Sequence, residues 1–522
     1  MRRLAATLGI LMAACGAAGA DASTYEVGPG KPYAALEDVD DLLGPGDLVL
    51  VSGGQSYPGG VWLEQDGSPA QPITIRGVGS PRPVLNGGTN TIELAGDNTV
   101  LEGFDLTGGS FRCLYLHGDG LVVRDTVVHH CPAHGILGAD NDSGDATLER
   151  VEVHHAGNGT GEHSIYMATD EIAHPGSVFR MRNCWVHDST GGNLVKSRAE
   201  RNEIYYNRLE GNDLSYHELE LIGPDPGGGS VPGGVREDSD VVGNLLVHRR
   251  SDFRSAARVG GDATGESEGR YRFVANTFLG VSSAPSFTVF RAFDRLESIE
   301  AVGNVMHRPG GVQVMRDLEA DWVSGARSLS GASNWITSGS DLSTGLGATL
   351  QGADPGLDGA WRPAAGSPLV DVGYAAPLIP GFEPPLAAFA GAGASRPIDE
   401  ALDIGAYELP DPSYRPPGAG GPGADSARLR LRGLKLRRTR KGLFLVASVS
   451  QRAKVAGRID RPRGKRWRLV KRLRKRAVGP GTVRLKLARL PRGRYRIELV
   501  ARADGQRRSA RLRFKIGAPK PR

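Results

Sequence analysis

Charged and aromatic side chains recur at the same position of five short segments that align with one another. The fourth position of these segments reads Tyr115, Leu137, Tyr166, Lys196 and Glu220. Side chains alternate between the two faces of a strand, so we expect this position to form one outward face. Arg198 and Glu218 each lie two residues from this position and are predicted to join that face. Such a surface combines aromatic rings that stack on sugars with charges that bind or deprotonate an acidic sugar.

The catalytic candidates are Lys196, Arg198, Glu218 and Glu220. Cleavage of a uronate polymer by elimination needs a base for the proton beside the carboxylate, and positive charge to stabilise the developing carbanion. Lys196 can be that base if a neighbouring cation or burial favours its neutral form; Arg198 favours this and Glu220 opposes it. Glu218 and Glu220 could instead form the carboxylate pair of a retaining glycoside hydrolase. A salt-bridge ladder of Lys196 and Glu220 without catalytic function is the remaining alternative.

The substrate-binding candidates are tyrosines of the fourth position and histidines of the first. Tyr115 and Tyr166 are predicted to stack on sugar rings. The first position reads His134, His163, Asn193 and His217, and we include His163 and His217 among the substrate-binding residues. A column of imidazoles can bind a metal or move protons, whereas a hydrogen-bonded polar ladder that lines a turn is the alternative.

The five segments predict stacked strands of a parallel β-helix. They are residues 112–116, 134–138, 163–167, 193–197 and 217–221, and their third position is apolar throughout: Leu114, Ile136, Ile165, Val195 and Leu219. A second series repeats in phase, with turn positions at 103, 125, 150, 183, 207, 244, 276 and 304, which are 22 to 37 residues apart. Such a period suits one coil of a β-helix with loops inserted at its corners.

Asparagine is predicted to occupy the turn position of the second series from Asn183 onward. It tolerates the left-handed backbone region, and its amide can hydrogen-bond along a stack. At another corner, the histidine pairs 129–130 and 154–155 are predicted to be exposed turn residues.

The N-terminus predicts export. Residues 1–20 have a basic start, an apolar run and an Ala-x-Ala end, which are the parts of a secretory signal peptide cleaved after Ala20. A loose lipobox at Cys15 offers the alternative of a lipoprotein. No later apolar run is long enough to span a bilayer. Three cysteines then remain, Cys113, Cys131 and Cys184. Cys113 and Cys131 could form a disulfide between neighbouring coils, or all three could be small buried hydrophobic residues.

The charge is distributed unevenly along the 522 residues. Residues 425–522 contain 35 lysines and arginines against 4 aspartates and glutamates, a net charge of +31, whereas the whole chain carries +6. Short alternating segments in this region predict a small β-sandwich. Its charge indicates a clamp on polyanions such as acidic polysaccharide, envelope phosphates or extracellular nucleic acid. Nucleic acid is the less favoured of these ligands, because the segments have few aromatic residues for base stacking.

The region before this basic part resembles the secreted right-handed parallel β-helix proteins of the pectate-lyase-like superfamily. The resemblance rests on residues 31–43, 45–47 and 72–77, on the asparagine-centred coils, and on a terminal segment at 366–373, 396–397 and 403–408. It implies a solenoid over residues 24–408 whose first coil is covered by a capping helix at 31–43. Alginate lyases and chondroitinase B of this fold use a lysine and an arginine helped by calcium. The resemblance therefore implies those roles for Lys196 and Arg198, with calcium as the candidate cofactor.

The sequence thus predicts an all-β protein with four parts. These are a signal peptide (1–20), a right-handed parallel β-helix (24–408), a Pro/Gly-rich linker (409–424) and a basic β-sandwich (425–522). The predicted protein is monomeric, is secreted or attached to the cell envelope, and acts on an acidic polysaccharide as a uronate lyase. A non-enzymatic carbohydrate-binding protein or adhesin, anchored by its basic domain, is the alternative.

Overall fold

The computed structural model divides the chain into two compact units, residues 1–412 and 413–522. It describes residues 22–223, 236–250, 255–261, 267–281, 287–293, 295–317, 321–374, 401–409, 431–439, 442–449, 453–463, 466–478, 481–487, 491–503 and 506–516. The predicted signal peptide with Cys15, the motif at 396–397 and the linker from residue 410 on lie outside these ranges. Among the described residues, no helix is long and apolar enough to cross a membrane.

The first unit is a right-handed parallel β-helix of three sheets, as predicted. Over the described residues, sheet 1 contains Thr24–Val27, Leu48–Ser52, Ile73–Val78, Thr99–Glu102, Leu121–Arg124, Ala146–Glu149, Val178–Arg182, Arg201–Tyr205, Asp238–Val242, Arg270–Val274, Ser298–Val302, Leu329–Ala332 and Leu346–Gly347. Sheet 2 contains Ser56–Pro58, Val84–Asn86, Asp105–Thr107, Val127–Cys131, Glu152–Ala156, Trp185–His187, Arg208–Glu210, Leu245–His248, Thr277–Gly280, Val305–His307, Trp335–Thr337 and Leu350–Gly352. Sheet 3 contains Val61–Leu63, Asn90–Leu94, Arg112–Leu116, His134–Gly138, Ile165–Ala168, Val195–Arg198, Leu219–Ile222, Ser255–Gly260, Thr288–Ala292 and Gln313–Arg316. Each coil from Leu48 to Arg316 contributes one strand to each sheet in that order, and the coils at the two ends lack one or two of the three strands.

The apolar column of the five aligned segments forms part of the core. Leu114, Ile136, Ile165, Val195 and Leu219 are paired in this order on neighbouring parallel strands of sheet 3 and are fully buried. The predicted register of the five strands is therefore confirmed. Stacking the same apolar position on every coil gives a continuous core, which no single coil could form alone.

An asparagine ladder stacks along the turn between sheets 1 and 2. Its members, all fully buried, are Asn207, Asn244, Asn276, Asn304 and Asn334. From Asn244 on, each Oδ1 accepts hydrogen bonds from the backbone N–H and the amide N–H of the preceding asparagine; the Asn207 N–H lies 2.8 Å from Asn244 Oδ1. The predicted stacking is confirmed, but the turn alignment was wrong by one residue. Asn183 aligns with Tyr206, and Tyr206 is the turn residue with the left-handed backbone conformation, at a φ of 60°. The ladder asparagines from Asn207 on therefore come one residue after the left-handed turn residue.

Replacement of one ladder asparagine should destabilise the β-helix. Asn244→Ala removes the acceptor of two Asn207 groups and the donor to the Ile204 carbonyl, so buried polar groups lose their partners. We expect a loss of about 3 kcal/mol in unfolding free energy, measured by urea denaturation. Asn141→Ala, at an exposed asparagine, is the matched control and should have little effect. Equal stability of the two variants would contradict a structural role for the ladder.

The predicted capping helix over residues 31–43 is instead two short 3₁₀ helices, Leu36–Asp38 and Asp40–Leu42. The Asp38 carboxylate accepts hydrogen bonds from the backbone N–H groups of Ala34 and Ala35, which competes with a regular α-helical turn. The segment still forms i-to-i+3 hydrogen bonds. Leu36 and Val39 are buried in the core, so the segment packs on the first coils as expected.

The cysteines take both of the predicted forms. Cys113 of sheet 3 and Cys131 of sheet 2 form a disulfide, so burial as free thiols is wrong for this pair. Cys184 is free and fully buried, and burial raises the pKa of its thiol to about 12. The disulfide therefore connects sheet 3 of one coil with sheet 2 of the next, as predicted for neighbouring coils.

The second unit consists of two antiparallel sheets around one core. One contains Leu431–Thr439, Gly442–Val449 and Gly481–Lys486, and the other Ala453–Arg463, Arg466–Val478, Gly493–Ala503 and Gln506–Ile516. Leu445 of the first sheet packs with Val455, Ile459 and Leu499 of the second, which gives the sandwich arrangement that the alternating segments predicted. The exposed positions of these strands carry many of the lysines and arginines.

Candidate active site

A column of polar side chains follows the partly exposed face of sheet 3, and we call it the strip. It consists of Tyr166, Lys196, Glu220, Arg258, Arg291 and Arg316, each paired in register with the next on adjoining parallel strands. The first three were predicted to share this face. The three arginines were missed, although they stand in the same pattern between small or apolar residues, as in Ala257-Arg258-Val259. The register therefore extends the predicted surface by three cations.

Lys196 lies between an aromatic ring and a carboxylate. Its Nζ is 4.7 Å from the centre of the Tyr166 ring and 4.0 Å from Glu220 Oε2. The carboxylate of Glu220 also forms an ion pair with Arg258 and accepts a hydrogen bond from the Asn193 amide at 2.5 Å. The centre of the strip is thus a cation–carboxylate–cation series, with the Lys196 ammonium favoured by its partner.

Glu220 is ionised across the ordinary pH range. Burial by itself would raise its pKa, but Arg258, Lys196 and the nearby His217 lower it from 4.5 to about 2. A negative charge therefore persists in a nearly buried position of the strip.

The stability that this charge provides should depend on pH. The pKa of Glu220 is lower in the folded state than in the unfolded state, so its ionised form stabilises the fold by about 3 kcal/mol. This stabilisation is complete above pH 4.5 and is lost as the pH falls towards 2. The stability difference between the natural protein and Glu220→Gln should therefore shrink between pH 5 and pH 3, measured by denaturant unfolding at each pH. A difference that stays constant over this range would contradict the ion pairs described above.

Arg198 lies two residues after Lys196 on the same strand and contacts Tyr166. The strand places it in register with Ala168, and its Nε donates a hydrogen bond to Tyr166 Oη at 3.0 Å. Its Nη1 donates to the carbonyl of Gly223 at 2.6 Å, and the side chain is almost completely buried. The predicted proximity of Arg198 to the strip is therefore found, with the phenol oxygen of Tyr166 as its contact.

Glu218 does not join the strip, contrary to the prediction from strand alternation. It is fully buried, and its Oε2 lies 2.9 Å from Nδ1 of His248, which belongs to sheet 2. Burial raises the pKa of Glu218 despite this imidazole. The second and third positions of the sheet 3 strands both face the interior, as Cys113 and Leu114 do. A retaining carboxylate pair of Glu218 and Glu220 is therefore not formed.

Tyr115 is separated from Tyr166 by Leu137 in the same column. The guanidinium of Arg112 lies 3.9 Å from the centre of the Tyr115 ring. One face of this ring is thus already covered, and Tyr166 is the tyrosine that adjoins the charged residues.

The first-position histidines form the hydrogen-bonded ladder that was one of the two predictions for them. His163 N–H donates to His134 Nδ1 at 3.2 Å, and Asn193 N–H donates to His163 Nδ1 at 2.9 Å. An Nδ1 that accepts a backbone hydrogen bond leaves the proton of a neutral imidazole on Nε2. Burial, followed by nearby cations such as Lys196, lowers the pKa of His163 to about 3, and burial lowers that of His217 to about 4. His163 also packs edge-on to Tyr166, with ring centres 5.4 Å apart.

The described residues of the strip do not fit a calcium site. Glu220 is the one carboxylate between Tyr166 and Arg316 in this column, and cations occupy both of its sides. Calcium prefers six to eight oxygen ligands. Among the described residues, the groups of three side chains that could hold a metal lie elsewhere: His130, His154 and His155, and Asp40, Asp41 and Glu64.

The comparisons with known proteins concern the fold. No family model matches the chain, and no curated protein matches it. Among solved structures, the alginate lyase from Paenibacillus sp. str. FPU-7 is 16% identical over 63% of this chain and 98% of that one, with a TM-score of 0.32. Pectate lyase Pel9A is 12% identical over 74% and 96%, with a TM-score of 0.42. The PL6 family alginate lyase AlyGC is 14% identical over 60% and 52%, with a TM-score of 0.31. At these values the comparisons carry no argument about activity; the three parallel sheets themselves establish the β-helix.

Proposed function

We propose that this protein acts on an acidic polysaccharide that binds along the strip, and that it cleaves the polymer by elimination. The observation that carries the proposal is the column of cations on sheet 3: Lys196, Arg258, Arg291 and Arg316. Rungs of a β-helix are about 4.8 Å apart, so Arg258, Arg291 and Arg316 present positive charge on three successive rungs, and Glu220 separates them from Lys196. A polymer with a carboxylate on each sugar matches such a surface in its charge and its repetition.

The centre of the strip offers the two proton transfers of an elimination. Arg198 donates to Tyr166 Oη, which stabilises the phenolate form that could take the proton beside the substrate carboxylate. Glu220 stabilises the ammonium form of Lys196, which could give a proton to the departing sugar oxygen. The C–H and C–O bonds break, a carbon–carbon double bond forms, and the carboxylate is held by arginines such as Arg258. This assigns Lys196 as the acid and Tyr166 as the base, the reverse of the role predicted for the lysine.

The predicted export agrees with this substrate class. The Cys113–Cys131 disulfide is of the kind that persists in oxidising compartments outside the cytoplasm. An exported protein of this design meets the acidic polymers of cell walls and extracellular matrices, and the basic C-terminal unit would hold it on such a polymer.

A non-enzymatic binding protein is the second candidate. It is favoured by the pairing of Lys196, Glu220 and Arg258 with one another, which is also what a charge-balanced recognition surface would show. The two candidates are separated by incubating the full chain with alginate, polygalacturonate and chondroitin sulfate, with and without calcium, and recording the ultraviolet absorbance of unsaturated chain ends. An enzyme produces new ends with one of these polymers; binding without new ends selects the recognition surface.

A further inference from the structure

A second group of titratable side chains lies on sheet 2, and we call it the histidine ladder. It contains two adjacent pairs on successive coils, His129 with His130 and His154 with His155, followed by His187 with Asp188 on the next coil. His129, His154 and His187 are paired in register on neighbouring strands. The function proposed above uses none of these residues, and they stand on a different sheet from the strip.

The backbone explains why both members of each pair project from the same surface. His130 and His155 each have a φ of 51°, and Asp188 has a φ of 46°. The backbone therefore enters the left-handed region at the last residue but one of Val127–Cys131 and of Glu152–Ala156, and directly after Trp185–His187. Such a conformation is uncommon for residues other than glycine. This conformation places the second side chain of each pair beside the first. The same left-handed residue recurs on three successive coils.

The rings form two parallel stacks. His129 and His154 are 5.1 Å apart with an interplanar angle of 4°, and His130 and His155 are 4.7 Å apart at 3°. Within each pair the two Nδ1 atoms face each other at 2.7 Å. One nitrogen of such a pair must carry a proton and the other a lone pair, or both lone pairs must share a cation.

Carboxylates contact the Nε2 atoms of two imidazoles of the ladder. Asp105 Oδ1 lies 2.6 Å from Nε2 of His129, and Glu152 Oε1 lies 3.2 Å from Nε2 of His187. A histidine that donates its Nε2 proton to a carboxylate has its Nδ1 lone pair directed away from that carboxylate. For His129 this is the outer-shell arrangement that orients and strengthens a histidine ligand of a metal, whereas His130, His154 and His155 are positioned by the ring stacks.

We propose that the histidine ladder binds a divalent transition-metal ion, such as Zn²⁺, Cu²⁺ or Ni²⁺, through His130, His154 and His155, with His129 beside them. A ligand nitrogen from each of the first three residues lies within 4.8 Å of the others. Metal–nitrogen bonds are about 2.1 Å long, so two nitrogens on one ion are at most about 4 Å apart. Small rotations of these exposed or half-exposed rings are enough to reach that spacing. Imidazole nitrogens select this class of metal, whereas calcium prefers oxygen ligands.

The test measures binding of the metal alone to the full chain, expressed without a histidine tag. Isothermal titration with zinc chloride and with copper chloride should show one ion per chain at low micromolar affinity or tighter, and calcium chloride should show no binding at this site. The double variant His154→Ala/His155→Ala should bind at least about 100-fold more weakly, because it loses two of the three nitrogens. His117→Ala, at a histidine outside the ladder, is the matched control and should bind as the natural protein does.

Copper also gives a spectroscopic readout. The electron paramagnetic resonance spectrum of the copper-loaded protein should show coupling to several nitrogens, and the double variant should lose it. Absence of zinc and copper binding at 100-fold excess of metal would overturn the proposal, as would binding that the double variant retains in full. If the double variant does not fold, the same titrations and spectra are recorded for His155→Ala, which changes an exposed residue, and the same outcomes support or overturn the proposal.

Discussion

Lys196→Ala should abolish cleavage of the polymer that the natural protein degrades. The lysine contacts both Tyr166 and Glu220, and its ammonium is the proposed proton donor to the leaving oxygen. Loss of a positioned acid costs about 10²–10⁴-fold in rate, so we expect turnover to fall at least about 10³-fold. The fold should be retained, because Lys196 lies on the outer face of the coil.

Lys31→Ala is the matched control for this variant. Lys31 also forms an ion pair with a glutamate, Glu26, but it is exposed at the N-terminal coil. It should cleave at the natural rate. Full turnover by Lys196→Ala, measured by the absorbance of unsaturated ends, would place the reaction elsewhere on the molecule.

Tyr166→Phe separates proton transfer from ring stacking. Phenylalanine keeps the ring but removes the oxygen to which Arg198 donates. If Tyr166 is the base, this variant should lose turnover by at least about 10²-fold with little change in polymer binding. An active Tyr166→Phe variant and an inactive Tyr166→Ala variant would show that the ring only stacks on the sugar, as the sequence predicted.

Removal of the basic unit should weaken binding to anionic polymers by a large, salt-dependent factor. The net charge of +31 over residues 425–522 is concentrated on a small sandwich whose strands expose arginine and lysine. If six or more charges are neutralised on binding, affinity should fall by about 10³-fold or more between about 50 and about 200 mM salt. A chain ending at residue 412 should lose most of this dependence, as measured by fluorescence anisotropy with labelled oligouronates.

Arg270→Ala in the full chain is the control for the truncation. Arg270 is an exposed arginine of sheet 1 that pairs with Asp238, so its loss should leave the salt dependence unchanged. A truncated chain that binds as tightly and with the same salt slope would contradict the clamp. Preference for DNA over oligouronates of equal charge would assign the unit to nucleic acid instead.

The coil register and much of the strip could be predicted from the sequence. Successive side chains of a strand point to opposite faces, so a side chain faces either the core or the solvent. The stacked apolar residues from Leu114 to Leu219 show which of the two faces is inside. The same rule placed Tyr166, Lys196 and Glu220 together. The same rule applies to Arg258, Arg291 and Arg316, whose strands continue the column beyond the five aligned segments.

The errors arose where alternation is interrupted or where a partner is distant in the sequence. Glu218 points inward because two consecutive positions of the sheet 3 strands face the core, and His248, its partner, lies thirty residues away on another sheet. His130 and His155 have a left-handed backbone conformation, which places each of them on the same surface as the histidine before it. Regular alternation of side chains along a strand would put adjacent residues on opposite faces. Local pattern therefore predicts the repeating part of a solenoid, whereas its corners require coordinates.

The central claim is that an acidic polysaccharide binds along the strip. The most direct measurement is a crystal structure of Lys196→Ala, chosen so that the ligand is not cleaved, with a uronate oligosaccharide of defined length. We predict that the sugars lie across successive coils of sheet 3, with carboxylates contacting Arg258 and Arg291 and one ring against Tyr166. An oligosaccharide bound to another sheet, or bound without contact to any of these three residues, would contradict it.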